Sequence, residues 1–312
     1  MSFHRFGSWL LKESGKKFMY GVAAATSVTI GCLHIVPNTF LLDKYKDVVH
    51  LYKNGFTVPV PRPLLERFNK AIDLLEIKEQ DRKQFKPFMV FGFDIFSAGT
   101  FFSHYGVIIG LPDNFTYIDS DYIDKTKIQL LESSIPWESD EGILLLKSLA
   151  MSDIGQIYAI AREVHMRQSP KYFIDFLSSV SLFILAYGAG THCNARYNLY
   201  AKPRFVRIVL YGMLGLFAYL NYIFVKDASQ LYYERKTDEY LINKSPVFKE
   251  GGKEFYENIL NRNRALRTLM GKLGEHNYSP MGNENYFIRQ RHLPLVQRKA
   301  FFEDVHTSQD LM

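Results

Sequence analysis

The sequence predicts an α+β, mainly helical membrane protein: three transmembrane helices plus a soluble helical domain with a small β-ribbon. Three observations predict it. Apolar runs of membrane-spanning length, nearly free of charge, occupy residues 18–36, 172–190 and 206–225. The second and third are joined by a short polar connector, the pattern of a membrane hairpin. The long segments on either side of that hairpin pass from helical to strand periodicity and back, as a soluble α+β domain does.

The signal is local rather than compositional. Apolar residues make up 47% of the 312 residues, which is ordinary for a soluble chain. The formal charge is +6 and the basic residues are scattered, with no Lys/Arg block of the kind that grips nucleic acid, so no nucleic-acid partner is expected. The two cysteines, Cys32 and Cys193, lie in or beside apolar runs, and no CxxC occurs. That excludes a disulfide framework and a zinc ribbon.

Residues 1–17 form a basic segment, with Arg5, Lys12, Lys16 and Lys17 against Glu13. Spaced Phe3, Phe6, Trp9 and Leu10 give it the amphipathic look of a mitochondrial targeting end that merges into a span. Residues 18–36 hold no Lys, Arg, Asp or Glu, and as a helix they reach about 28 Å, enough to cross a bilayer core. Pro37 ends them, and no A-x-A site stands at the distance that would mark a cleaved secretory signal. In the second span, residues 172–190, Asp175 lies close enough to the start to reach the interface. The connector, 191–205, holds Arg196, Lys202 and Arg204 and no acid. The third span, 206–225, has Arg207 near one end and is followed by Lys226. A helical hairpin buried in a soluble core is the alternative, but Ile208 to Val225 is longer and less charged than core helices usually are. Three spans put 1–17 and 191–205 on one side of a membrane, and 37–171 and 226–312 together on the other.

Within 37–171, residues 38–85 look helical, with Leu64, Leu65, Phe68, Ile72 and Leu75 at helical spacing after Pro61 and Pro63. Phe88, Val90 and Gly92 then alternate with Met89, Phe91 and Phe93 as a strand. A turn at 99–102 leads to a second strand, Gly106 to Leu111, ending at Pro112. Glu141 to Met166 supplies one or two helices, with Ser152 as a cap and Ile157, Ile160, Ala161 and Val164 as an apolar stripe. In the soluble segment 226–300, one amphipathic helix covers Lys226 to Leu241. A second covers Glu250 to Gly271 and is stopped by Gly271 and Gly274. Residues 301–312 read as a loose tail.

The order of these parts resembles a degenerate membrane-metallopeptidase layout, that of the integral-membrane HExxH peptidases of the CAAX-prenyl-protease class. In that chemistry two histidines at i and i+4 hold zinc and the adjacent glutamate activates water. Here Arg162 and Met166 stand at the histidine positions, and Glu163 keeps the place of the base. Glu234 and Asp238 keep the third-ligand pattern. A guanidinium cannot ligate a cation, so no metal or other cofactor is expected and the chain reads as a non-enzyme. Instead, Arg162 is expected to act as a fixed cation between Glu163 and Glu234, bridging two helices. His165, at i+2 from Glu163, points to another part of the helix circumference. His104, His276 and His292 gather no ligand set, and no G-x-S-x-G, Walker or G-x-G-x-x-G motif occurs.

A closer resemblance is carried by Gly251-Gly252-Lys253-Glu254-Phe255-Tyr256-Glu257, then Ala265-Leu-Arg, Gly271-Lys, Gly282-Asn, His292-Leu-Pro294 and Arg298. Earlier in the chain Lys86-Pro-Phe, Ser97-Ala-Gly99, Val107 to Phe115, Trp137 and Ala161-Arg-Glu-Val carry it too. In these stretches the chain is similar to the transmembrane protein 177 family, departing most in the charged Glu234–Asp238 helix. The resemblance implies a multi-pass protein of the mitochondrial inner membrane, with its large segments facing the intermembrane space and with no catalytic residue. Its implied partners, besides the lipid bilayer, are cytochrome c oxidase subunit 2 and that subunit's membrane chaperone, in a non-enzymatic assembly role. A zinc-dependent membrane peptidase with atypical ligands and a purely structural membrane organiser are the alternatives.

Overall fold

The structure, a computed structural model, describes residues 9, 12–117, 119–120, 123–130 and 135–303. Helix α1 (Glu13–Ile35) is followed by α2 (Leu42–Val49), strands β1 (Tyr52–Lys53) and β2 (Phe56–Thr57), α3 (Arg62–Leu74) and α4 (Glu79–Arg82). Strands β3 (Phe85–Val90), β4 (Phe96–Gly99) and β5 (Val107–Pro112) come next, then α5 (Asp140–Leu149), α6 (Asp153–Gln168) and α7 (Lys171–Arg196). The chain continues with α8 (Arg204–Lys244), α9 (Pro246–Leu269), α10 (Lys272–Asn277) and α11 (Leu295–Glu303). Two compact units result: Met1–Asn38 with Pro170–Ser229, and Thr39–Ser169 with Gln230–Met312.

The first unit holds α1, α7 and the apolar part of α8. These three helices are long and apolar enough to cross a membrane. Their large side chains, among them Phe18, Leu33, Leu185, Ile208 and Phe224, point outward rather than into a protein core. Helices that expose apolar side chains while satisfying their own backbone are those that lipid solvates. The chain is therefore a multi-pass membrane protein. Within this unit α1 lies against α7, where Gly31 meets the Phe176 ring and Tyr172 donates to the His34 carbonyl at 3.1 Å. Asp175 does not reach out to an interface. It is buried, paired with Lys171, and accepts the Ser229 hydroxyl at 3.0 Å, as an acid within an apolar helix must be partnered. Helix α7 runs on to Arg196, so the non-helical connector is shorter than 191–205. It begins at Tyr197, and Asn198 takes a left-handed conformation (φ 48°) that asparagine tolerates.

The second unit corrects several expectations. Residues 38–85 are not continuously helical: Asn54-Gly55, both at positive φ, turn a small hairpin that pairs Tyr52 with Thr57. The sheet is not a two-stranded ribbon but three strands in the order β3-β5-β4. Strand β3 runs parallel to β5, with Phe85 opposite Val107, and β4 runs antiparallel to it, with Gly99 opposite Val107. Residues Phe96–Gly99 carry too few positions to reveal a period of two, and they fall in the crossover that a parallel pair requires. The third span and the Lys226–Leu241 helix form one 41-residue element, α8, because nothing between Leu216 and Lys244 interrupts a helix. Helix α11 reaches Glu303 with Phe302 only 2% exposed, so the loose tail does not begin at 301. Its remainder, 304–312, and residues 1–8, 10 and 11 of the basic segment lie outside the described residues.

Helix α6 is the centre of this unit, packed on α9, α3 and the sheet. Ser152 caps it, accepting from the Gly155 amide, and Glu254 of α9 binds the Ser152 amide at 2.8 Å and its hydroxyl. Together α5 and α6 are apolar enough to imitate a fourth span, but they bend by 64°. Ile157, Tyr158, Ile160 and Ala161 are fully enclosed by protein, so their apolarity belongs to a core.

Candidate functional site

The polar residues that the sequence singles out converge at the middle of the second unit, where α6, the end of α8, α9 and α11 meet. Asp238 is 0% exposed. It accepts from Tyr158 at 2.8 Å, from Tyr256 at 3.0 Å, and from Arg298 Nε and Nη2 at 2.7 and 3.0 Å. The arginine is thus bidentate, the geometry in which a guanidinium binds a carboxylate best. It also lies 4.8 Å from the Tyr256 ring centre. One turn earlier on α8, Glu234 accepts from Gln230 at 2.7 Å, from the Leu293 amide at 2.9 Å and from His292 Nδ1 at 2.5 Å, with Arg298 Nη1 at 3.5 Å. Pro294 opens the α11 turn, its carbonyl accepting the Arg298 amide at 3.0 Å.

A second cluster lies on the neighbouring turns of α6. Arg162 pairs with Glu163 at 2.6 Å and stacks on the Phe255 ring at 5.0 Å. Glu163 accepts the Ser97 hydroxyl of β4 at 2.5 Å, and Arg167 donates to the same Ser97 hydroxyl at 2.8 Å. The expected bridge from Arg162 to Glu234 is corrected here. Arg162 turns to its own neighbour, and the cation that closes Glu234 and Asp238 is Arg298, 60 residues farther along the chain than Asp238. Met166 joins none of these polar contacts; its carbonyl accepts from Ser169 where α6 ends. Among the described residues no three His, Cys, Asp or Glu side chains come together as a metal cage.

Burial would raise both glutamates, but their partners outweigh it. Glu234 is held at about 2 by the His292 hydrogen bond and the Arg298 charge. Glu163 is held below its ordinary value by Arg162 and Ser97. Burial drives the Tyr158 and Tyr256 hydroxyls up, so both stay protonated and donate. His165 is not a ligand. Its ring stacks on Tyr240 at 4.2 Å, its Nδ1 lies 3.1 Å from the Thr237 hydroxyl, and burial lowers it to about 4. A histidine kept neutral in the fold contributes stability that is full above its ordinary 6.5 and is lost as pH falls through about 4. The thermal midpoint of the detergent-solubilised protein is therefore expected to fall between pH 6.5 and 4. His165→Gln should flatten that limb, while the limb below 4, which Glu234 supplies, remains.

The family-like segment on α9 is structural. Gly251 rests on the backbone of α6 at Ile154, and Gly252 rests on the Phe302 ring. Phe255 and Tyr256 face the arginines, Glu254 caps α6, and Glu257 lies 3.6 Å from Lys299 of α11. Tyr158, Ser97, Arg167 and Thr237 complete the site without having been marked as part of it. Tyr158 precedes Arg162 by four residues, the spacing that shares a helix face, and that is the signal that could have found it.

No protein-family model matches the chain, and no solved structure matches it. Curated relatives do. Transmembrane protein 177 of Xenopus laevis is 28% identical over 301 residues, covering 93% of this chain and 94% of the relative. The rat protein of that name is 30% identical over 268 residues, covering 85% of this chain and 84% of its own. The mouse protein is 30% identical over 217 residues, 69% of this chain and 70% of its own. Identity at that level over most of both chains, in a molecule with three membrane helices, makes this chain a member of the Transmembrane protein 177 family.

Proposed function

We propose that the chain is a non-enzymatic assembly factor of the mitochondrial inner membrane. In this reading it supports maturation of cytochrome c oxidase subunit 2 by stabilising both the subunit's membrane chaperone and the newly made subunit. Its large segments face the intermembrane space, where the subunit's soluble part would meet them. The observation that carries the non-enzymatic half is the arginine closure. A general base needs an accessible carboxylate poised near the working pH. Here Glu163, part-buried, is bound by Arg162 and Ser97, and Glu234 and Asp238, within the core, are bound by Arg298. Such a cluster ties helices together rather than offering lone pairs to a substrate. Family membership supports the membrane setting, and the resemblance described above supports the partners.

The test is affinity purification of the tagged full chain from mitochondria, together with depletion of the chain. Subunit 2 and its chaperone are expected to co-purify, and both are expected to fall when the chain is removed. Normal subunit 2 levels in its absence would leave a structural membrane role instead.

A further inference from the structure

A cavity of about 620 Å³ lies within the first unit, between α1, α7 and α8. That volume is within the roughly 300–1,000 Å³ range of pockets that take a small molecule. Its walls are mostly apolar, with Leu182, Ala186 and Leu214 among them, and it opens outward past Leu33 and Tyr219. On α7 the lining runs from Ser179 to Asn194, a helical distance of about 22 Å, most of the thickness of a bilayer core. An open groove of that length between apolar helices fits a hydrocarbon chain better than a compact solute.

The end nearest the connector is polar in a specific way. Asn194 lines the cavity and is 3% exposed. Its amide nitrogen donates to the Tyr211 hydroxyl at 2.5 Å, and its amide oxygen is buried without a hydrogen-bond partner. Turned the other way, the amide would leave its nitrogen alone instead, so one end goes unpaired in either orientation. Beside it, Tyr200 lines the cavity and carries the Arg207 guanidinium on its ring at 4.9 Å. Arg207 Nε is likewise buried without a partner. Among the described residues no carboxylate pairs with Arg207, and the connector adds Arg196, Lys202 and Arg204 with no acid. A buried polar group left unpaired costs about 1–3 kcal/mol, so a ligand toward which the Asn194 amide can turn is favoured.

We infer that this cavity binds one anionic phospholipid with a hydroxylated headgroup, one acyl chain along α7, a headgroup hydroxyl on Asn194 and its phosphate beside Tyr200, within the positive field of Arg207 and the connector. A hydroxyl donates or accepts, so it satisfies either orientation of the Asn194 amide, and a phosphate oxygen suits a guanidinium. A choline headgroup offers no hydroxyl and adds a cation beside Arg196, Lys202, Arg204 and Arg207.

The experiment is native mass spectrometry of the purified full chain in detergent, titrated with phosphatidylglycerol or with phosphatidylcholine of identical acyl chains. A single phosphatidylglycerol is expected to bind about tenfold more tightly, the size of one buried amide end left unpaired. Asn194→Leu should erase most of that preference, whereas Arg207→Gln should weaken both lipids, since each brings the same phosphate. Ala186→Phe, which fills the chain-binding part, should weaken both lipids while leaving the headgroup contacts in place, and circular dichroism identifies any variant that fails to fold. Glycerol 3-phosphate should not compete. Equal affinity for the two lipids, full competition by glycerol 3-phosphate, or a folded Asn194→Leu protein that keeps the preference would overturn the assignment.

Discussion

Asp238→Ala is expected to be the most damaging single substitution in the soluble unit. Asp238 takes four hydrogen bonds from three residues on three different helices, with no solvent to replace it. Its loss leaves Arg298, 4% exposed, with only the longer 3.5 Å contact to Glu234, together with two tyrosine hydroxyls that have lost an acceptor. Removing one partner of a buried ion pair costs about 3–5 kcal/mol, a large part of the 5–15 kcal/mol that holds an ordinary domain together. Burying the pair is not in itself strongly stabilising, because both ions give up their hydration. The double substitution Asp238→Leu with Arg298→Met should therefore recover much of what the single change loses. Thermal unfolding of the solubilised protein, followed by circular dichroism, measures both. An unchanged midpoint for Asp238→Ala, or a double variant as unstable as the sum of its parts, would rule out this account of the cluster.

Gly251→Ala should be the second most damaging. In an exposed helix the change from glycine to alanine gains up to about 1 kcal/mol from backbone entropy, so the expected sign is opposite to the intrinsic one. At 251 the added methyl would collide with the Ile154 carbonyl and press on Tyr158 Cβ at 3.0 Å. Both belong to α6, and a backbone carbonyl cannot yield unless its helix moves. Overpacking of this kind costs about 1–3 kcal/mol net. Gly252→Ala meets the Phe302 ring, a side chain that has some freedom to adjust, and so should cost less. The two thermal midpoints, measured side by side, check the ranking. A stabilised Gly251→Ala protein would mean that α9 and α6 do not approach so closely.

The membrane helices were legible because lipid demands a long run without charge, a property any window of sequence reveals. The Ser152 cap and the Gly271 stop were legible for a similar reason: each depends on a local backbone need. What failed was non-local. Strand β4 spans four residues and shows no period. Its role as the antiparallel neighbour of β5 is set by the crossover rather than by its own composition. The choice of cation was also non-local. Arg162 and Arg298 are both arginines near glutamates in sequence or expected space, and only the packing of α11 brings Arg298 to Asp238. The family-like residues were recognisable as a string, yet their purpose was not. Gly251 and Gly252 read as ordinary helix residues until two close neighbours explain why neither can carry a side chain.

The separation between Asp238 and Arg298 has a consequence for biogenesis. A ribosome delivers the acid 60 residues before its counter-ion, and by then the sheet, α6 and both hairpin helices have already been made. Until α11 emerges, the nascent chain has a hydrated cleft where its interior should be and an unoccupied seat for Phe302 over Gly252. Quality-control proteases would see every premature stop upstream of residue 298 as an open protein, however correctly its membrane hairpin had been inserted.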